Sequence, residues 1–468
     1  MLTLSEIDKI EGEEGNFDVT VVQHPRYVDL NKCIACGLCA EKCPKKVLDE
    51  FNKELGKRKA IYVQYPQAVP LKYAIDEKNC IFLTKGKCRV CEKVCPSGAI
   101  NFEDKEKKIV LNAGSIVLST GFDTYDPAIY DTFGYTKSPN IVTSLEFERI
   151  LSSSGPFGGH LIRPSDNKEP EKIAWLQCVG SRDEHQGAKS YCSSVCCTYA
   201  VKEAIVAKEH QKGNLDTAIF YIDIRTFGKD FESYYNRAQD EKGVRFIKSK
   251  IANIISEKNS ENLLIRYTNE GGKRIEEEFD MVVLSIGLSI SKESVELTRK
   301  AGINIDPFGF AQTTSFHPIE TSRPGIFISG AFHSPKDIPS SVTDASAAAA
   351  QASATLSDAR FSLTKKKQLP EEIPKIEILG QRPRIGVFVC KCGTNIAGTV
   401  DVPSVAQYAK QLPYVTHVDE NLFSCSQDTQ EQITMAIKEH QLNRVVVASC
   451  TPQTHEPVSY THLTLPTN

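Results

Sequence analysis

The sequence predicts an α/β protein of several domains, on three observations. Its 468 residues correspond to roughly two to four domains at about 100 to 200 residues each. Apolar strand-like runs followed by loops and helical patterns recur at 173–210, 325–356 and 385–457. The 16 cysteines fall into three groups, from Cys33 to Cys95, from Cys178 to Cys197 and from Cys390 to Cys450, with none at 96–177 or 198–389. Disulfide networks do not require such clustering, whereas metal sites do, because several thiolates must converge on one centre. With 40% hydrophobic and 25% charged residues, the composition is that of a globular protein. A net charge of −3 and a pI near 6.4 argue against a chain that coats nucleic acid. No apolar run approaches the ~18 residues of a spanning helix. The N-terminus, MLTLSEIDKIEGEEG, lacks the basic and apolar regions of a secretory signal.

Taken in order, residues 1–22 contain one strand, Phe17 to Val22. The first cysteine group then reads Cys33-x2-Cys36-x2-Cys39-x3-Cys43-Pro44 and Cys80-x7-Cys88-x2-Cys91-x3-Cys95-Pro96. The run C-x2-C-x2-C-x3-C-P is the bacterial ferredoxin ligand pattern. Three close thiolates cap one face of a [4Fe–4S] cube, Gly37 lets the loop wrap it, and the fourth cysteine starts a short helix and reaches across to the other cluster. Cys33, Cys36, Cys39 and Cys95 are therefore expected to hold one cluster, and Cys80, Cys88, Cys91 and Cys43 the other. Cys80 fits the spacing least well. A zinc ribbon or a set of buried thiols is the bland alternative. Residues 50–79 between the runs read as a hairpin-like insertion, either a solvated loop or a basic docking surface for an acidic partner.

The second group is Cys178-x13-Cys192-x3-Cys196-Cys197. Ile173 to Leu176 read as a buried strand and Ser193 to His210 as a helix. A nucleotide-binding unit carries G-x-G-x-x-G at that corner. This chain carries Q-C-V-G-S-R and then three cysteines. The alternatives are a further four-thiolate cluster, a redox disulfide such as Cys192 with Cys196, or buried thiols.

Flavin signals follow. The strand in AGSIVLSTGFDTYDP ends in Thr120-Gly121, and VVLSIGL repeats the theme at 282–288. In 321–356, Gly325 to Gly330 read as a buried strand, followed by Ala331, a loop and an Ala-rich helix starting near Ser340. Gly330 permits close backbone approach, and the helix start around Ile338, Ser341 and Val342 can point amides at flavin oxygens or phosphates. A helix packed with no ligand is the alternative. No G-x-G-x-x-G precedes the first cysteine group, so the expectation is a chain holding only the isoalloxazine side of an FAD site.

From Phe17 to about Ser357 the chain resembles the A-type subunit of heterodisulfide reductases, the one that carries FAD and iron-sulfur clusters. The likeness rests on HPRYVDLNKCIACGLCAEKCP, LGKRKAIYVQYPQAVP, CRVCEKVCPSGAI, LQCVGSRD, YCSSVCC, FYIDIRTFGKDFESYYNRA and PKDIPSSVTDASAAAAQA. It implies a thioredoxin-reductase-like FAD domain with an inserted two-cluster ferredoxin unit. A further [4Fe–4S] cluster on Cys178, Cys192, Cys196 and Cys197 would lie close to the flavin. It also implies a cytoplasmic complex of several proteins, with thiol/disulfide subunits, hydrogenase or dehydrogenase, and ferredoxin, in which the flavin of many members bifurcates electrons. Lys202 is the candidate catalytic cation beside the flavin ring, with a surface lysine as the alternative. Residues 382–457 resemble the family's N-terminal domain, here in an unexpected place. They read as β-α-β-α-β with Cys390, Cys392, Cys425 and Cys450 at strand ends, suited to a further cluster or to redox exchange. The order suggests a fragment of a fused double-length member of the family.

The expected organisation is a remnant FAD subdomain at 1–22, a ferredoxin insertion at 23–106 and a flavin domain at 107–360 with a nucleotide-like unit at about 170–285. A linker at 361–384 and a small α/β domain at 385–457 follow. The tail at 458–468 resembles translated adapter sequence and is excluded from the fold. Three functions compete. One is a catalytic redox subunit with FAD and iron-sulfur clusters. The others are a pyridine-nucleotide-dependent flavin disulfide reductase and a non-catalytic electron wire. A related quinone-interacting complex uses similar subunits. The missing glycine fingerprint after Leu176 speaks against direct NAD(P)H binding.

Overall fold

The computed structural model describes residues 1–65, 68–211, 215–257, 260–362, 377–392, 396–397 and 400–450, the side chains at 427 and 428 aside. The chain divides into two compact units. One comprises Met1–Arg26, Glu103–Glu148 and Leu161–Leu363, the other Tyr27–Phe102, Arg149–His160 and Thr364–Asn468.

The first unit is built on a five-stranded, wholly parallel sheet. Its order is Ile141–Thr143, Met281–Ile286, Lys172–Val179, Asp216–Tyr221, Arg245–Lys248. The interior strand Met281–Ile286 is buried at every residue, which is why MVVLSI is continuously apolar rather than alternating. The helices Cys196–His210 and Phe231–Asp240 make the crossovers. An antiparallel triplet, Ile254–Ser256, Leu263–Thr268 and Arg274–Phe279, leads the chain back to the interior strand. The same unit holds an antiparallel meander of Ser5–Glu13, Asn16–Gln23 and Lys107–Ala113. That meander shares a core with the parallel pair Ile116–Leu118 and Ile326–Ile328 through Phe17, Leu118, Ile326 and Phe332.

In the second unit, residues 27–102 form three short helices, Leu38–Lys42, Ile81–Lys85 and Val90–Val94, and two small hairpins. This body ends at Tyr27 and Phe102, inside the expected limits of 23 and 106. One expectation is corrected: Cys43 and Cys95 end their short helices rather than start them. The cause is the following proline. Residues before proline are pushed out of the helical region, and Cys43 (φ −65°, ψ 123°) and Cys95 (φ −76°, ψ 109°) are extended. Residues 385–448 form a three-stranded parallel sheet in the order Val415–Asn421, Ile385–Cys390, Arg444–Ala448. Val387 and Val389 pack toward the helix Val402–Ala409, while Phe388 on the other face meets Ile433 of the helix Gln427–Glu439. The expected linker falls largely on residues 363–376, and the tail wholly on 451–468, both outside the described residues.

Candidate cluster and flavin sites

Two cavities in the 27–102 body are each ringed by four cysteines. Cys33, Cys36, Cys39 and Cys95 surround about 310 Å³ together with Tyr73 and Ile100. Cys43, Cys80, Cys88 and Cys91 surround about 370 Å³ walled by Ile61, Ile75, Phe82 and Phe102. Each cavity thus takes three cysteines from one run and the fourth from the other. Among the described residues no three His, Cys, Asp or Glu side chains close on a point that would hold a single metal ion. Four thiols around a void suit a cube with a metal at each corner.

The loops are locally shaped for this. Gly37 takes a left-handed φ of 82° beside the Tyr73 hydroxyl. The equivalent position in the second run is Arg89, at φ 93°, held over the Phe82 ring at 4.9 Å and paired with Glu92 at 2.8 Å. Burial pushes the Cys39 thiol up to about 12 and Cys91 to about 11, and their neighbouring thiols add to it. Cys95 is held below the usual thiol range. Burial opposes this, but the Ala99 N–H at 3.3 Å and donors at Ser97 and Gly98 outweigh it.

A third cavity, of about 270 Å³, is lined by Cys178, Cys192, Cys196 and Cys197 with Arg182, Asp223 and Arg225. Three left-handed residues make it possible: Cys178 at φ 64°, Gly180 at 70° and Ser194 at 65°. The helix begins at Cys196, three residues later than the pattern predicts, because Cys192–Val195 are needed as a loop to face Cys178. Every cysteine is a free thiol, so Cys192 and Cys196 form no disulfide. Burial raises Cys178, and carries Cys196 to about 12 and Cys197 to about 11. Arg182 opposes the shift at Cys178, to which its side chain hydrogen-bonds while also pairing with Asp223. Sequence reasoning passed over Arg182, although it lies in the Q-C-V-G-S-R run.

In the small C-terminal domain, Cys390 ends the central strand. Burial, then Cys390, Cys450 and Cys425, raise Cys392 to about 11, and burial, then Cys390 and Cys450, raise Cys425. The four thiols are thus electrostatic neighbours.

The expected flavin residues gather at one end of the Ile116–Leu118 and Ile326–Ile328 pair. Thr120-Gly121 and Gly330-Ala331 follow the two strands, whose register is continued by the Ser119 and Ser329 hydroxyls 2.7 Å apart. Both glycines are left-handed, at φ 76° and 72°. A Cβ on Gly330 would stand 3.8 Å from Ser341 Oγ. The helix Ile338–Thr355 starts two residues before Ser340, capped by the Asp337 carboxylate, which accepts from Ser340 N at 2.9 Å. Ile338 and Val342 are large apolar side chains left 80% and 60% exposed. Glycine backbone, hydroxyls, helix amides and open apolar surface together fit the ring side of a flavin. Lys202 lies on the Cys196–His210 helix with its Nζ 2.7 Å from Glu148 Oε1, half exposed and with its charge already paired. The missed neighbours are His333, Lys336 and Asp344. Lys336 Nζ lies 2.7 Å from His333 Nδ1 and bonds Asp344. Burial, then Lys336, holds His333 below the usual imidazole value.

Comparison with known proteins places these sites in context. Residues 32–99 match the 4Fe-4S dicluster domain family, and residues 201–352 match the pyridine nucleotide-disulphide oxidoreductase family. The chain is 41% identical over 375 residues to the A-type iron-sulfur subunit of the CoB--CoM heterodisulfide reductase of Methanocaldococcus jannaschii, covering 80% of this chain and 56% of that protein. It is 43% identical over 366 residues to the A-type subunit of the H(2)/formate:CoB-CoM heterodisulfide,ferredoxin reductase of Methanococcus maripaludis, covering 78% and 55%. A protein of Archaeoglobus profundus named as like the same heterodisulfide reductase subunit is 39% identical over 423 residues, covering 81% and 59%. The chain therefore spans little more than half the length of these relatives.

Proposed function

We propose that the chain is an A-type heterodisulfide reductase subunit, like the relatives it resembles over about four fifths of its length, and that it passes electrons between FAD and [4Fe–4S] clusters as the oxidoreductase component of a larger redox complex. The observation that carries the reading is three separate cavities, each ringed by four free cysteines. When bound, FAD takes up or gives out an electron pair, and each cluster accepts one electron at a time.

The chain's own residues supply the rest. Cys33, Cys36, Cys39 and Cys95 ligate one cluster, and Cys43, Cys80, Cys88 and Cys91 the second. Cys178, Cys192, Cys196 and Cys197 ligate a third, with Arg182 offsetting negative charge at Cys178. Cys390, Cys392, Cys425 and Cys450 are proposed as a fourth thiolate site. Thr120, Gly121, Gly330, Ala331, Ile338, Ser341 and Val342 receive the flavin, and the apolar residues among them exclude water from its ring. Partners are further redox subunits of a heterodisulfide-reductase-like complex. Among the described residues no helix is long and apolar enough to cross a membrane, and the proposed location is the cytoplasm.

The test is anaerobic purification with iron, sulfide and flavin quantitation. The reading expects about twelve irons or more per chain and bound FAD. A Cys197→Ser variant should lose about four irons while the dicluster signals persist. Iron without flavin would favour an electron-wire role, and a chain that takes up no iron would sink the proposal.

A further inference from the structure

Residues 50–79, between the two cysteine runs, contain two similar short sequences, Lys59-Ala60-Ile61-Tyr62 and Lys72-Tyr73-Ala74-Ile75. They pair as a hairpin, Ile61 opposite Ile75 and Tyr62 opposite Ala74. Ala60, Ile61, Ala74 and Ile75 are buried in the core of the cluster-bearing body, so the hairpin is part of that body's interior. Its residues line both cavities: Ile61 and Ile75 the one ringed by Cys43, Cys80, Cys88 and Cys91, and Tyr73 the one ringed by Cys33, Cys36, Cys39 and Cys95.

The two lysines bond to different cysteines. Lys59 Nζ donates to the Cys43 carbonyl, and Lys72 Nζ donates to the Cys33 carbonyl at 2.6 Å. Each cavity therefore has one ammonium fixed on the main chain of one of its cysteines. Lys59 forms no ion pair with any described residue. The neighbouring Arg58, by contrast, is bound to Asp76 and Glu50. These lysines are not offered to an acidic partner, as a basic docking surface would require.

We propose that the hairpin between the cysteine runs is a charge clamp, in which Lys59 and Lys72 each raise the reduction potential of a different one of the two clusters; the inference rests on the proposed cluster ligation. Reduction adds one negative charge to a cluster. A positive charge fixed on the main chain of a ligand cysteine, in a partly buried site of low effective dielectric, stabilises the reduced form more than the oxidised one. Both lysines act with the same sign, so the clamp lifts the pair together and keeps neither cluster at the unaided potential of its four thiolates.

The test uses the full chain, reconstituted anaerobically, with Lys59→Gln and Lys72→Gln. Glutamine keeps a donor for the carbonyl and removes the charge. EPR-monitored redox titration should show one cluster about tenfold harder to reduce in Lys59→Gln, a midpoint lower by about 59 mV for one electron, and the other cluster so affected in Lys72→Gln. Lys59→Arg and Lys72→Arg should restore the wild-type midpoints. Unchanged midpoints at full iron content overturn the proposal. So does a shift of the same cluster by both variants, or a loss of iron that shows the lysines serve assembly alone. Failure of the wild type to bind iron would overturn the ligation beneath it, and is seen before any variant is made.

Discussion

Glu203 shows how a single side chain can depart from its sequence context. It sits in the middle of the Cys196–His210 helix, in a stretch (KEAIVAKEH) where a glutamate would ordinarily face solvent, yet it is 1% exposed. Its Oε2 accepts from Trp175 Nε1 at 2.8 Å, and its Oε1 has no hydrogen-bond partner among the described residues. Burial, reinforced by Glu148, drives its pKa well above 4.5, with the Trp175 bond and Lys202 opposing. The sign follows from linkage. Above pH ~4.5 the unfolded chain releases this proton and the folded chain keeps it, so stability falls as pH rises through the window up to the folded pKa. Glu203→Gln keeps an acceptor for Trp175 and removes the ionisation. Trp175 is the only tryptophan, so its fluorescence reports on this site. The urea midpoint read there should decline from pH 5 to pH 8 in the wild type and decline less in Glu203→Gln. Parallel profiles would reject the account. Nothing in the sequence marked Glu203, because its burial comes from the helix being enclosed nearly all round, against the parallel sheet.

At the scale of elements, legibility followed the hydrophobic pattern and failed where backbone geometry broke it. MVVLSI and the Ile173–Leu176 run were readable because both faces of an interior parallel strand are buried. The strand Ser5–Glu13 was missed, since its apolar residues Ile7 and Ile10 are three apart. A register shift between Ile7 and Lys9 inserts the extra residue, which turns both toward the same core. The Ile338–Thr355 helix was seen, but its start was misplaced by two residues because the proline after Ile338 lies inside the first turn, where proline is tolerated. That helix fully buries only Ala348, with Ala347 and Ala352 packed against Ile319 and Phe327, and its first turn is held by the Asp337 cap. Asp337→Ala should cost about 1 kcal/mol locally. The cost should appear as weaker FAD retention in a flavin-release titration, with Asp337→Ser close to wild type. Equal retention in all three proteins would detach the helix start from the flavin.

Across the whole molecule, the cysteine spacing announced which four residues belong together, and the cavities gather the same sets; the spacing could not reveal the left-handed turns at Cys178 and Ser194 or the free state of all sixteen thiols. Those sets have a consequence for how the 27–102 body holds together. Cys43 and Cys95 each leave their own run for the opposite cavity, so with the proposed ligation each cluster would tie residues near position 40 to residues near position 90. Ligands that share a cluster act as a unit, and their losses do not add, whereas losses at separate clusters do. Cys43→Ala combined with Cys88→Ala should therefore remove about four irons, no more than either change alone. Cys43→Ala combined with Cys39→Ala, although the two residues are close in sequence, should remove about eight. The same logic applies to stability. Losing one cluster leaves the other still bridging the two runs, so single-site variants should retain a folded ferredoxin body. The Cys43/Cys39 pair, which empties both cavities, should leave it open to proteolysis between the runs. Iron quantitation beside limited proteolysis separates this from the uncrossed alternative, in which Cys43 with Cys39 would cost four irons and Cys43 with Cys88 eight.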